Sequence, residues 1–173
     1  MTSLYRPPRL LTATDNVEEF SCTSTEQTQW LRRHAKQSAS SSTTRVFVVT
    51  REDDSTVVAY YAWCMAQLDV AAAPERLKKG AGRYPQPAAL LARLGVDSRH
   101  EGKGLGAALL VDTVTRLLTL SDDIGCRGLL IHTESAVARD FYLHLIPELE
   151  QSPTDELHLV LLVKDARRTL LGE

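Results

Sequence analysis

Hydrophobic positions along the chain form short β-rich runs separated by longer stretches with helical spacing. The β-rich runs predict five strands at residues 45–50, 56–65, 90–96, 127–133 and 157–163, and the proline-interrupted residues 4–13 predict an edge strand. Apolar residues recur every three or four positions at residues 25–36, 105–120 and 135–145, which predicts three helices. Thr14, Asp15 or Ser24 can cap the first helix, and Ser135 is the expected N-cap of the third.

The connections between these elements indicate an α/β fold. About five polar residues join the runs at 45–50 and 56–65, which is typical of an antiparallel hairpin. The Ser/Thr-rich residues 37–44 predict a loop, and residues 68–87 predict either a short helix with a loop or an insertion over a site. Hairpins and helical crossovers both occur, so a mixed central β-sheet flanked by helices is expected. No repeat or linker interrupts the pattern, and residues 1–173 are expected to form a single domain.

Composition narrows the class of protein. The chain has 173 residues, of which 43% are hydrophobic and 24% are charged, as in ordinary soluble globular domains. No run approaches a membrane span and no signal peptide is evident. The three cysteines form no CxxC pair. Reduced thiols and a cytoplasmic location are therefore expected, without a disulfide scaffold or zinc site.

Charge is unevenly distributed although the net charge is only −2. Residues 27–51 carry five basic side chains and no acid, and residues 75–103 carry seven basic side chains against three acids. Residues 112–156 carry nine acids against three basic side chains. This asymmetry is compatible with an anionic ligand on one face, or with a chance partition of solvated charges.

A glycine-punctuated turn at Arg99–Gly106 separates a predicted strand from the longest predicted helix. The N-terminus of a helix offers unpaired N–H groups and a partial positive charge. Glycines allow the backbone to approach an anion closely. The turn is therefore predicted to bind phosphate groups.

Three known phosphate-binding motifs are similar to the sequence of this turn. A P-loop requires GxxxxGK[ST], but Gly104 follows Gly102-Lys103, so no hydroxyl is placed for magnesium. The dinucleotide fingerprint GxGxxG differs from the observed GxGxG, and no matching acid follows on a second strand. The third pattern, [Q/R]xxGx[G/A] between a strand and a helix, fits Arg99–Gly104 at every specified position.

On these residues the sequence resembles the GNAT acyltransferases, whose pyrophosphate loop has this pattern. The preceding strand LLARLGVD, the following LGAALL helix and the later ARDFY segment extend the resemblance. It implies a GNAT fold, with the pyrophosphate of acetyl-CoA on backbone N–H groups of the turn and its pantetheine arm paired with the strand. The cofactor-binding residues that it implies are Leu94, Gly95, Val96, Arg99, His100, Glu101, Gly102, Lys103, Gly104, Leu105 and Gly106.

A narrower resemblance to TacT-like GNAT toxins of bacterial toxin–antitoxin pairs is carried by both ends of the chain. The segments FSCTSTEQTQWLRRHAKQ, TRVFVVT and LARLGVDSRHEGKGLGAALLVD carry it, together with the tail SPTDELHLVLLVKD. It implies acetylation of the α-amino group of aminoacyl-tRNA, inhibition of translation and a ribbon–helix–helix antitoxin as partner. A homodimer is also common in this group.

The resemblance places a general acid at Tyr142, on the third predicted helix. Adjacent helix residues point about 100° apart, so Tyr142 is expected to be functional and Phe141 to lie in the core. An α-amine needs no strong general base near neutral pH, and neither Glu134 nor Ser135 is assigned as one. The five histidines show no metal-ligand spacing, and no metal is expected.

Contacts to tRNA phosphates are expected from basic residues once the resemblance is taken into account. The candidates are Arg32, Arg33, Lys36, Lys78, Lys79, Arg83 and Arg93. Two alternatives remain at this stage: a GNAT enzyme acting on a small amine or protein N-terminus, and a GNAT fold serving only as a binding module.

Overall fold

The computed structural model describes residues 4–79 and 84–172. In these ranges the strands are β1 Arg9–Leu10, β2 Arg45–Thr50, β3 Val57–Leu68, β4 Gln86–Val96, β5 Gly128–His132, β6 Glu150–Gln151 and β7 His158–Leu162. The helices are α1 Thr25–Arg33, α2 Ala35–Ser40, α3 Glu75–Lys78, α4 Leu105–Asp123, α5 Ala136–Leu145 and α6 Val163–Leu171. None of these helices is both long and apolar enough to span a bilayer.

The strands form a mixed sheet in the order β1-β2-β3-β4-β5-β7-β6. The β1/β2, β2/β3, β5/β7 and β6/β7 pairs are antiparallel, whereas β4 and β5 are parallel. The parallel pair is joined through α4, as a crossover connection requires. The predicted α/β class, mixed sheet, β2–β3 hairpin and edge position of the first strand are therefore confirmed.

The described residues divide into two compact units. Unit 1 takes in the described residues up to Cys64 together with Ala92–Asp112, and unit 2 takes in those of Met65–Leu91 together with those from Thr113 onward. Each unit has its own apolar cluster.

The core of unit 1 lies between helix α1 and the β2–β3 hairpin. Leu31 of α1 and Val46 and Val48 of β2 are almost fully buried there, with Tyr60 of β3. The indole of Trp30 stacks on the Tyr60 ring at 6.0 Å between centroids. Ser24 caps α1 by accepting a hydrogen bond from the Gln27 backbone N–H. Of the N-caps predicted for this helix, Ser24 is therefore the one that is confirmed.

The core of unit 2 joins α3 to strands β5 and β7. Leu77 of α3 packs with Leu130 of β5 and Val160 of β7, all nearly inaccessible to water. Ser135 caps α5 by accepting from the Ala138 backbone N–H at 3.2 Å, which confirms that prediction.

Several local predictions are wrong. The helix predicted at residues 25–36 breaks at His34, whose φ of −123° leaves the helical range, and α2 continues into the predicted loop. The predicted edge strand shortens to Arg9–Leu10. Strand β6 and helix α6 were not predicted at all. Helix α6 begins after Leu162 without a side-chain cap, so its start carries no N-cap signal.

Candidate active site

The end of strand β4 is tied to the glycine turn through Asp97. Its carboxylate accepts hydrogen bonds from the Arg99 backbone N–H at 2.9 Å and from the Ser21 backbone N–H at 3.1 Å. The Arg99 side chain donates to both carboxylate oxygens, at 3.0 and 2.9 Å, and to the Glu19 carbonyl at 2.9 Å. Asp97 therefore joins β4, the turn and the segment before α1.

The charge of Asp97 is stabilised by these donors. Burial alone would raise the pKa of the carboxyl, whose side chain is 1% exposed. The hydrogen bonds from Arg99 and Ser21 outweigh burial and lower the pKa to about 2. Asp97 is therefore ionised at neutral pH, and its attraction to Arg99 persists throughout the physiological range.

The glycines of the turn adopt the conformation that the motif requires. Gly102 and Gly104 have φ values of +75° and +81°, and a Cβ at either position would meet nothing within 4 Å. Positive φ favours glycine, and the open space leaves the backbone accessible. Helix α4 follows at once, with the Ala108 N–H donating to the Gly104 carbonyl. The N–H groups of the first turn of α4 thus precede the helical hydrogen-bond ladder, and the turn fits an anion such as a pyrophosphate.

His100 is held by an aromatic partner within unit 1. The Tyr5 hydroxyl lies 2.8 Å from His100 Nδ1, and the two rings meet edge to face. The His100 backbone N–H donates to the Asp97 carbonyl. Its neighbours Glu101 and Lys103 are exposed to solvent. The geometry thus gives His100 a part in bracing the turn.

Gly95 lies where β4 passes two aromatic rings. A Cβ at this position would lie 3.1 Å from Tyr60 Cε1 and 3.3 Å from Phe20 Cζ. These distances are tight, so any larger residue would displace the rings. Of its neighbours on the strand predicted to pair with pantetheine, Leu94 and Val96 are each half-buried.

Arg93, a predicted RNA contact, is already engaged within unit 1. Its guanidinium forms a 2.7 Å ion pair with Glu26 and lies over the Trp30 ring at 5.6 Å. The side chain is only 26% exposed. Part of its charge is therefore neutralised by α1, which the sequence pattern did not indicate.

Tyr142 of α5 is buried in unit 2, with 8% of its surface exposed. Burial, followed by the negative charge of Glu134, raises the pKa of the phenol above its ordinary value. The hydroxyl therefore keeps its proton at neutral pH. Phe141, predicted to lie in the core, is instead 40% exposed, because it shares an outer face of α5 with Val137 one turn earlier.

The remaining basic candidates are distributed over both units. Arg32, Arg33 and Lys36 are exposed in unit 1, where the Lys36 ammonium donates to the Ala13 carbonyl. In unit 2, half-buried Lys78 pairs with Glu75 at 3.0 Å, and Lys79 is exposed. Arg83 lies outside the described residues. Within residues 4–79 and 84–172, no group of three or more His, Cys, Asp or Glu side chains could hold a metal ion.

Sequence reasoning missed Asp97 and Tyr5 as supports of the turn. Asp97 ends the β4 run and precedes a three-residue 3-10 turn, where its side chain caps the Arg99 N–H. An aspartate directly before a turn is an N-cap signal that could have been read from the sequence. Tyr5 carries no such signal because its contact with His100 joins residues 95 positions apart.

No protein-family model matches the chain. The tRNA-acetylating toxin of Mycobacterium tuberculosis is 39% identical over 169 residues, which is 98% of each protein. This chain belongs to the tRNA-acetylating toxin family. The match extends over the whole chain, so it includes the glycine turn, Asp97 and Tyr142 and is not limited to the turn motif.

Solved structures agree on the fold. A complex of AtaT with acetyl-methionyl-tRNAfMet has a TM-score of 0.86 at 23% identity, covering 98% of this chain and 99% of that one. A tyrosine-to-phenylalanine mutant of AtaT, bound to the C-terminus of the antitoxin AtaR and to acetyl-CoA, has a TM-score of 0.81 at 20% identity. It covers 96% of this chain and 98% of that one. The chain therefore has the GNAT fold of these toxins.

Proposed function

We propose that this protein is an acetyl-CoA-dependent N-acetyltransferase and a toxin that acetylates the α-amino group of aminoacyl-tRNA. The observation that carries the proposal is the full-length match to the tRNA-acetylating toxin of M. tuberculosis. The accessible backbone at Gly102 and Gly104 and the protonated hydroxyl of Tyr142 support the proposal, because such an enzyme needs a phosphate-binding turn and a proton donor. We further propose that the whole chain acts as a single GNAT domain.

The donor is proposed to bind on unit 1. Backbone N–H groups from Glu101 to Gly106 would hold the pyrophosphate, at the positive end of the α4 dipole. The edge of β4 at Leu94–Val96 would pair with the pantetheine amides. Arg99 and His100 brace the turn through Asp97 and Tyr5, and Lys103 adds an exposed positive charge. When bound, acetyl-CoA supplies an acetyl thioester that is already activated.

Tyr142 is proposed to be the general acid. The buried phenol keeps its proton at pH 7, and this proton would pass to the sulfur as the thiolate leaves. The α-amino group of an aminoacyl ester titrates near or below about 7.7–8.0, so a substantial fraction is a free nucleophile without a dedicated base. The negative charge of Glu134 helps to keep the phenol protonated.

The acceptor is proposed to be held through RNA phosphates. The proposed contacts are exposed Arg32, Arg33 and Lys36 in unit 1 and half-buried Lys78 and exposed Lys79 in unit 2, with Arg83 and Arg93 as further candidates. Their contribution should weaken as salt rises, because counterions compete for the same phosphates.

The antitoxin in the AtaT complex supports a proposed protein partner, which we expect to be a ribbon–helix–helix protein. A homodimer acting in the cytoplasm, where tRNA is charged, completes the proposal.

A cell-free translation reaction tests the proposed activity. Purified protein with acetyl-CoA should stop synthesis of a reporter, whereas protein with desacetyl-CoA should not. Supplying fresh aminoacylated tRNA to a gel-filtered reaction should restore synthesis, because only the tRNA pool has been modified. Arrest that fresh charged tRNA fails to relieve would contradict the proposal.

A further inference from the structure

A basic cavity lies in unit 2, and all of its lining residues belong to that unit. Its volume is about 460 Å³, within the usual range of about 300–1,000 Å³ for small-ligand sites. Of the seven described residues that line it, four are basic: Arg76, Lys79, Arg127 and Lys164. No carboxylate is among these seven residues. Only Lys79 of these four is among the proposed RNA contacts.

The cavity lies at one end of strand β5. Arg127 directly precedes β5, and Leu162, which pairs with Gly128, ends β7 at the same place. Tyr142 belongs to the helix that follows the other end of β5. A five-residue strand spans about 13 Å at roughly 3.3 Å per residue. Within unit 2 the cavity is thus separated from the start of α5 by the length of a strand.

Three of the four cations have no carboxylate partner among the residues that the structure describes. Arg76 is the exception, since it pairs with Glu150 and with buried Asp165, both at 3.1 Å. The Arg127 guanidinium donates to the carbonyls of Leu77 and Lys79, which orient it without neutralising its charge. The ammonium groups of Lys79 and Lys164 form no ion pair within the described ranges.

Two further features keep the cavity positive. Burial raises the pKa of the Cys126 thiol, so this lining residue contributes no negative charge at pH 7. Helix α6 begins at Val163 and directs the positive end of its dipole to the same region. The Val163 N–H donates to the Arg127 carbonyl at 3.0 Å, which fixes the helix start beside that residue.

We propose that this cavity binds a compact, free polyphosphate of the size of inorganic pyrophosphate. Arg127, Lys79 and Lys164 place three uncompensated charges around one concave volume, which suits charge concentrated on a single ligand. Phosphates of an RNA strand are spaced along a backbone and require a row of basic residues instead. This site is independent of the proposed acetyl transfer.

Calorimetric titration of the full chain with pyrophosphate at low salt tests the site. The protein is first saturated with CoA, so that the glycine turn is occupied and cannot contribute. Pyrophosphate should still bind with one-site stoichiometry.

Variants of Lys164 test whether the cavity is the binding site. Lys164→Gln should weaken pyrophosphate binding at least about tenfold, because a charge-assisted contact is lost, and Lys164→Arg should retain most of the affinity. Lys164 is exposed, so these variants should fold normally. Arg51→Gln, which changes an exposed charge in unit 1, should leave binding unchanged.

Three outcomes would overturn the inference. Loss of pyrophosphate binding on saturation with CoA would assign it to the glycine turn. Equal affinity for the wild type and Lys164→Gln would remove the cavity as its site. If pyrophosphate does not bind, and deacylated tRNA binds with an affinity that depends on Lys164, the cavity would be a contact site for the RNA backbone. Acetyl transfer is measured separately, and its failure would leave these results unchanged.

Discussion

The Arg99 guanidinium contacts both carboxylate oxygens of Asp97, from Nε at 3.0 Å and from Nη2 at 2.9 Å. Arg99 is the first residue of the turn motif, and Asp97 directly follows β4. Their ion pair therefore fixes the direction in which the chain leaves the strand. Arg99 therefore contacts the protein itself, and we propose that the backbone N–H groups that follow it contact the pyrophosphate.

Replacing Asp97 with asparagine should loosen the turn without removing the proposed acid. Asp97→Asn loses the charge-assisted bonds from Arg99, so the free energy of unfolding should fall by about 1–3 kcal/mol. The KM for acetyl-CoA should rise about tenfold or more, whereas kcat should change by only a few-fold. Steady-state kinetics and urea unfolding measure the two effects.

Asp53→Asn is the matched control, because Asp53 pairs with Arg51 on the surface at 3.4 Å and is 71% exposed. Its effect on stability should stay within about 0.5 kcal/mol. A variant of Asp97 with an unchanged KM and a reduced kcat would show that the ion pair does not position the donor site.

The Asp97–Arg99 ion pair should make the free energy of unfolding depend on pH in the acid range. The pKa of Asp97 is about 2 in the folded protein, below its ordinary value of 3.8. Its carboxylate therefore stabilises the fold above pH 3.8, and this contribution is lost as the pH falls towards 2. The contribution is about 2 kcal/mol. Urea unfolding at pH 6 and pH 2.5 should show wild type and Asp97→Asn converging at the lower pH. A stability difference that is equal at both values would contradict the assignment.

Tyr142→Phe removes the proposed proton donor and little else. The ring remains to fill its buried position in α5, so the unfolding temperature should change by only a few degrees. The kcat for acetyl transfer should fall by about 10²–10⁴, which is typical of general acid catalysis. Acetyl-CoA affinity, measured by calorimetry, should be unchanged. Full activity in this variant would exclude Tyr142 as the acid.

Gly104→Ala tests the backbone conformation of the turn. Gly104 has a φ of +81°, and a Cβ there has open space, so the cost is conformational and amounts to about 1–2 kcal/mol. Relief of this strain would displace the N–H groups that follow, and the KM for acetyl-CoA should rise. Gly125→Ala is the control, because Gly125 also has open space but lacks a positive φ. If both variants bind acetyl-CoA alike, the positive φ has no role in binding.

Features encoded by nearby residues could be predicted from the sequence. The bounds of β2, the start of α4 and the Ser135 cap follow from patterns only a few residues long. The glycine turn belongs to this class, because its conformation depends on residues that tolerate a positive φ. The proposed donor site can therefore be located from the sequence alone.

Features set by distant contacts could not be predicted. Helical spacing continues through Ala35, so the break at His34 is invisible in the pattern. Phe141 and Tyr142 are both aromatic, and only the packing of α5 decides which one is buried. The engagement of Arg93 by Glu26 joins residues 67 positions apart, and no local signal marks it.

The most direct test of the central claim is mass spectrometry of the amino acids esterified to tRNA. Charged tRNA is incubated with the protein and isotopically labelled acetyl-CoA, digested with nuclease, and analysed as aminoacyl-adenosine. The account predicts labelled N-acetyl-aminoacyl-adenosine that forms with wild type and falls to near background with Tyr142→Phe. Acetyl label on free amines or protein N-termini, with none on charged tRNA, would contradict it.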